Sequence, residues 1–295
     1  MGVKDQLRKL ILQQWNIGFT ETPLQDILDG EPIQYRWMRH RYIKRWFADP
    51  FLLDVTDDDY IVLAEDFEDN RGYAVISKLV VDKKTLELKD VKQLLDRGTH
   101  LSFPIFIKRG EDVLVYPENS QSGELNLYKY DRENEKLLKM ETLINAPITD
   151  AVLLEYEGEQ LMFATKLPNP NGNQLDIYVK KDGQYVLKDV VEVEGRTARM
   201  GGNFFRVDGT LYRVAQDNNE CYGGALILQK VVVTDGKWLF EDVRRLTSPH
   251  PQYTTGFHTF NICKGTVVVD IHGYRKHAWL SSFLTKAINS VRTRR

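Results

Sequence analysis

Five times along this chain, at intervals of about fifty residues, one three-part pattern returns. A short apolar run is followed by a tight turn carrying Gly, Asp or Glu, and then by a second apolar run that ends on a polar residue. The first runs occupy 48–53, 101–106, 149–154, 200–205 and 257–262. With Asp49, Phe103, Asp150, Gly201 and His258 taken as equivalent, the steps are 54, 47, 51 and 57 residues. A period of this size in a strand-rich sequence is the signature of a β-propeller blade. A propeller gathers the starts of its innermost strands around one axis, so residues far apart in sequence come to share one pocket.

The second runs, at 60–65, 113–118, 161–165, 211–216 and 267–272, are more regular. The turns between first and second runs, such as Glu157-Gly158-Glu159 and Asp208-Gly209, have hairpin chemistry, because Gly and Asp tolerate positive φ. Third strands are expected over 73–81, 125–130, 175–179 and 225–233, and fourth strands over 91–95, 138–143, 186–191 and 239–243. The inner runs are almost continuously apolar and the outer ones alternate, as a sheet buried at a hub and solvated at its rim requires. The fold class expected is all-β: a five-bladed β-propeller with short helices at the N- and C-termini. The 295 residues form a single domain, with blades near 45–98, 99–147, 148–197, 198–250 and 251–283. Residues 15–20 are the candidate for an N-terminal strand that closes the ring, with 35–42 as second choice, since closure removes an open sheet edge. The spacing of Leu7, Leu10, Ile11, Gln14 and Trp15 suggests one terminal helix, and that of Trp279, Leu280, Phe283, Leu284, Ala287, Ile288 and Val291 the other. The latter carries Lys286, Arg292, Arg294 and Arg295, so it either caps the propeller or makes a peripheral membrane contact.

A formal net charge of −2 argues against general nucleic-acid binding. The basic, aromatic segment 35–46 (Arg36, Trp37, Arg39, Arg41, Lys44, Arg45, Trp46) could contact a phosphate or nucleotide sugar, but an ordinary exposed strand is the favoured reading. Cys221 and Cys263 have no metal-type spacing and read as reduced thiols. No apolar run approaches the length of a membrane span, and Lys4, Asp5, Arg8 and Lys9 interrupt any signal-peptide core. The expected localisation is cytoplasmic, with neither cofactor nor metal.

At the starts of inner strands, side chains can point into the central channel. Asp49, Ser102 with His100 just before it, Asp150, Arg199 and His258 occupy such positions. The ends of second strands add Glu65, Glu118, Gln216, Asp217 and His272, with Tyr222 nearby. Carboxylates, imidazoles, an arginine and amides converging on one axis suit a polyhydroxylated ligand. A hub needs no such cluster for packing.

The phrases Trp15-Asn16-Ile17-Gly18-Phe19, Ala48-Asp49-Pro50-Phe51-Leu52, His100-Leu101-Ser102-Phe103-Pro104, Tyr116-Pro117-Glu118-Asn119-Ser120, Leu211-Tyr212-Arg213-Val214-Ala215-Gln216-Asp217 and Tyr222-Gly223-Gly224-Ala225-Leu226 together resemble the N-terminal domain of glucosamine inositolphosphorylceramide transferases. That domain is similar to stand-alone bacterial proteins associated with surface-polysaccharide synthesis. The resemblance implies a five-bladed propeller related to the furanosidase-type sugar hydrolases. In the plant-type transferases the glycosyltransferase module is a separate C-terminal domain, for which this chain's length leaves no room. The related hydrolases use an acid at the inner-strand start of each of the first three blades: a base or nucleophile, a pKa tuner and a general acid. Here the first blade offers Asp49 and the third Asp150, an Asp where those hydrolases carry Glu, whereas the second blade offers Ser102 and Phe103.

Three readings follow. The first is a propeller that binds a carbohydrate, sugar phosphate or nucleotide sugar in glycan or surface-polysaccharide assembly, with His100, Ser102, Arg199, Gln216, Asp217, Tyr222, His258 and His272 contacting the ligand. The second is a glycoside hydrolase or transglycosidase using Asp49 with Glu118 or Asp150. The third is a scaffold for a glycosyltransferase.

Overall fold

The structure, a computed structural model, describes residues 13–274. β1 (Gln13–Thr20), the five-residue helix α1 (Leu24–Leu28) and β2 (Arg36–Trp37) come first. Four antiparallel meanders follow. They are β3 (Arg45–Val55) with β4 (Asp59–Glu68), β5 (Ala74–Asp82) and β6 (Leu88–Leu95); β7 (Phe106–Arg109) with β8 (Asp112–Val115), β9 (Leu125–Asp131) and β10 (Lys136–Ile144); β11 (Ile148–Tyr156) with β12 (Glu159–Lys166), β13 (Gln174–Lys181) and β14 (Gln184–Glu192); and β15 (Phe205–Val207) with β16 (Thr210–Asp217), β17 (Ala225–Thr234) and β18 (Lys237–Leu246). The fifth sheet has the order β19 (Phe260–Cys263), β20 (Thr266–Tyr274), β1, β2, so it joins the two ends of the described chain. β1 runs antiparallel to β20 over eight paired residues, including Ile17 opposite Asp270. The molecule is an all-β, five-bladed β-propeller.

Local chemistry explains the hairpins. Glu157 and Gly158 have φ of +50° and +81°, and Asp208 and Gly209 +47° and +81°. Two consecutive left-handed residues match the right-handed twist of the flanking strands. Burial falls from hub to rim: Leu161–Thr165 of β12 are buried throughout, whereas β14 in the same blade is mostly exposed. The predicted terminal helices lie largely outside the described residues; Gln14 and Trp15, which the helical spacing included, belong instead to β1. Pairing with β20 overrides a local apolar period that fits either state. The basic segment 35–46 is tied into the blades. Arg39 donates to the Thr85 carbonyl at 2.6 Å, Arg45 pairs with Asp66 at 2.6 Å, and Trp46 stacks on Phe67 at 4.7 Å.

Backbones crowd where blades 4 and 5 meet. A Cβ on Gly202 would stand 2.1 Å from the Phe260 carbonyl oxygen, an atom that cannot swing aside. Gly202→Ala is therefore expected to cost about 2 kcal/mol, within the usual range for overpacking a tight site. Urea unfolding measures this, and a loss below about 0.5 kcal/mol would show that the two blades can part.

Candidate functional site

The starts of the inner strands in blades 1, 2 and 3 share one conformation: φ is +47° at Asp49, +46° at Phe103 and +46° at Asp150. Bulges between Ala48 and Phe51 and between Thr149 and Val152 accommodate it in β3 and β11. Each bent residue turns its backbone N–H toward a carboxylate from an adjacent blade. Asp49 N donates to Asp270 Oδ2 at 3.0 Å, Phe103 N to Asp49 Oδ2 at 3.0 Å, and Asp150 N to Glu118 Oε2 at 3.1 Å. The carboxylates thus offset the strain of the left-handed backbone. Phe103, for which positive φ is unusual, is further held edge-on against Phe51 at 4.9 Å.

Two polar clusters grow from this ring. In the first, Arg199 donates through Nε to Asp150 Oδ2 at 2.6 Å and through Nη1 to Asn171 Oδ1 at 3.0 Å. Its Nη2 reaches both Glu118 Oε2 and Asp150 Oδ1 at 3.3 Å. Gln216 adds a hydrogen bond from Nε2 to Asp150 Oδ2 at 2.7 Å. Burial and the nearby Asp150 charge raise the Glu118 carboxyl well above its ordinary value, against the pull of Arg199.

In the second cluster, His258 Nδ1 lies 2.7 Å from Asp270 Oδ2 and 3.7 Å from Asp49 Oδ1. The Thr259 hydroxyl is 2.8 Å from Asp49 Oδ1, 2.9 Å from Asp270 Oδ2 and 3.1 Å from His258 Nδ1. One hydroxyl proton cannot serve two carboxylates. A protonated Asp49 resolves this by donating to Thr259, which donates in turn to Asp270. Burial, opposed by His258, pushes Asp49 up to about 8. Burial pulls the His258 imidazole down, but Asp270 and Asp49 outweigh it and bring it to about 9. Asp270 is held below its usual range because His258 and its hydrogen bonds overcome burial.

Both His258 and Asp49 bind a proton more firmly folded than unfolded. The His258 contribution is present below 6.5 and lost as pH rises toward about 9; that of Asp49 is lost between 3.8 and about 8. Both therefore remove stability between pH 6.5 and 8. A melting temperature lower at pH 8 than at pH 6.5 is expected, and a rise across that window would contradict the assignment of these protons.

Tyr222, 47% exposed, joins the clusters at the mouth of the hub. Its ring centre is 5.3 Å from the Arg199 guanidinium carbon and 5.5 Å, edge-on, from His258. Trp15 stacks on the His258 ring at 3.9 Å and lies 4.7 Å from the His272 ring.

The fold thus brings together Asp49, Glu118, Asp150, Arg199, Gln216, Tyr222 and His258. His100 stands beside them and pairs with Glu65 at 3.0 Å. Ser102 joins through its backbone, which exchanges hydrogen bonds with Glu118 at 3.3 and 2.9 Å. His272 sits behind Trp15 and bonds Thr255 at 2.7 Å. Asp217 is a correction. Neighbouring strand residues face opposite sides, so Gln216 enters the hub while Asp217 turns away to pair with Arg245 at 2.7 Å. It lines a wedge of about 830 Å³ between blades 3 and 4. Asp270, Asn171 and Trp15 were missed as site residues. Asp270 had a signal, a lone charge inside an apolar inner strand; Asn171, in a loop, had none.

Asp49, His258 and Asp270 place potential metal ligands within 4.8 Å of one another. The imidazolium already supplies positive charge there. Asp270 Oδ1 accepts from the backbone N–H groups of His258 and Thr259, each at 3.0 Å. The triad is filled by its own donors and does not fit a cation.

A closed five-bladed propeller with acids, amides and an aromatic at its hub defines the class. Solved structures share the fold. A thermostable family-43 glycoside hydrolase aligns with a TM-score of 0.55 at 12% identity, covering 82% of this chain and 88% of that one. A family 117 glycoside hydrolase from Zobellia galactanivorans aligns at 0.54 and 8% identity, covering 89% and 91%. The exo-β-1,3-galactanase of Phanerochaete chrysosporium, solved with β-1,3-galactotriose, aligns at 0.51 and 8%, covering 70% and 53%.

Within that class, residues 37–260 match the family described as glucosamine inositolphosphorylceramide transferase 1, N-terminal, and the chain belongs to it. Proteins of that name from Arabidopsis thaliana and Oryza sativa subsp. japonica are 29% identical over 153 residues and 24% over 200. The matches cover 47% and 64% of this chain but only 19% and 27% of those relatives.

Proposed function

We propose that the hub is a carbohydrate-binding site and that the protein acts in glycan or surface-polysaccharide assembly, as a binding module rather than a hydrolase. The observation that carries this reading is the convergence of Asp49, Glu118, Asp150, Arg199, Gln216 and His258, drawn from all five blades, beneath the half-exposed ring of Tyr222. Dense directional polar groups beside an aromatic face suit a sugar, whose hydroxyls need hydrogen bonds and whose C–H faces need apolar cover. The shared propeller and the sugar ligands named for its structural neighbours lend support.

Binding is favoured over hydrolysis by the state of the carboxylates. Glycosidases need two carboxyl groups flanking the scissile bond. Glu118 and Asp150 instead both accept from one nitrogen of Arg199, which commits them to the guanidinium. Both oxygens of Asp49 are occupied by Thr259 and Phe103. A glycosyltransferase partner and a cytosolic setting belong to the same proposal; among the described residues no helix is long and apolar enough to cross a membrane. Crystals soaked with galactose or xylotriose test the site. Density for a sugar at the hub is expected, and an empty hub after saturating soaks with both would reject the reading.

A further inference from the structure

We propose that the hub seats an uncharged glycosyl ring and rejects one bearing a carboxylate, and that Gln216 reads a ring hydroxyl. This rests on the carbohydrate reading above and specifies the ligand class that site takes.

The Gln216 side chain has no exposed surface. Its Nε2 donates to Asp150 Oδ2 at 2.7 Å and to the Met200 carbonyl at 2.9 Å, which fixes the orientation of the amide. Its Oε1 is then left without a donor among the described residues. Asn218, two residues on and also fully buried, accepts from Gly223 N at 2.7 Å through Oδ1, while its Nδ2 has no partner among the described residues. Asn218 directly follows β16, the strand that carries Gln216. One acceptor and one donor therefore stand unpaired below the loop that carries Tyr222. A buried polar atom without a partner is costly, so a ligand supplying a hydroxyl gains from filling it.

Charge narrows the ligand further. Among the described residues, Asp49, Glu65, Glu118, Asp150 and Asp270 are served by two committed cations, Arg199 on Asp150 and Glu118 and His258 on Asp270, while His100 meets Glu65 through Nε2 and accepts the Ala74 N–H on Nδ1. The raised positions of Asp49 and Glu118 agree with a shortage of positive charge. A carboxylate on the sugar ring would lose its water here beside carboxylates whose cations are already engaged, which is strongly unfavourable. A neutral ring meets only hydrogen-bonding groups.

Calorimetry on the full chain at pH 7, with galactose against galacturonate and glucose against glucuronate, tests this, because each pair differs only at the ring substituent C6. The neutral member is expected to bind at least about tenfold more tightly. Equal or tighter uronate binding overturns the inference while leaving a sugar site in place. Binding by neither member of either pair counts against both. The role of Gln216 is read with 2-, 3-, 4- and 6-deoxygalactose. One deoxy sugar should lose about tenfold relative to galactose in the wild type, and Gln216→Met should erase that selective loss. Uniform affinity of the wild type across the four, or unchanged discrimination in the variant, overturns the role. The wild-type series decides the matter even if the variant folds poorly.

Discussion

Replacing Arg199 with methionine is expected to destabilise the protein by about 4 kcal/mol, because removing one partner from a buried ion network strands the others. The Arg199 side chain is only 10% exposed, and those of Asp150 and Glu118 are 3% and 11%. With the guanidinium gone, Asp150 and Glu118 both lose the cation they share. Asn171 and Gln216 remain, but an amide cannot offset a desolvated charge. A second change, Asp150→Asn, should recover part of the loss, since the pair is coupled through direct contact. Urea unfolding of the two single variants and the double variant measures the coupling. Additive losses would mean that the network is solvated and that the hub is not the closed polar site described here.

Asp270→Asn should have a comparable effect, about 3 kcal/mol or more, for a different reason. Asp270 accepts from the backbone N–H groups of Asp49, His258 and Thr259, from the Thr259 hydroxyl and from the His258 ring. An asparagine amide turns one oxygen into a donor, which then faces N–H groups. The variant also removes the charge that does most to hold His258 protonated. Its pKa is expected to fall by more than about one unit from about 9, each unit being about 1.4 kcal/mol. An NMR titration of the His258 ring follows this directly, and an unchanged midpoint would contradict the role given to Asp270.

The fold was legible because the repeat is a physical one. Asp49, Phe103 and Asp150, aligned from sequence, all have left-handed φ angles that agree within a degree. Phe103 stands where a second-blade acid was sought, and its position is served from outside by the Asp49 carboxylate on its N–H. That exchange between blades leaves no local trace. The Gln216-Asp217 pair shows a different limit: the strand was recognised, but its side-chain alternation was not carried through, so both residues were assigned to the hub. The family phrases contained Asp49, Phe103, Glu118, Gln216 and Tyr222, whereas Asp150, Arg199 and His258 came from the repeat alone. Neither reached Asn171 or the ordering role of Trp15, which depend on a loop and on β1 meeting the other end of the chain.

The most direct test of a carbohydrate site at the hub is an NMR titration of the protein with neutral monosaccharides, following the Trp15 indole and the His258 ring. These two groups stack on one another at 3.9 Å beneath Tyr222 and report any ligand seated there. Saturable shifts of both signals, weakened in Gln216→Met, are the expected result. Shifts confined to the blade rims, with Trp15 and His258 unmoved at saturating sugar, would contradict a hub site.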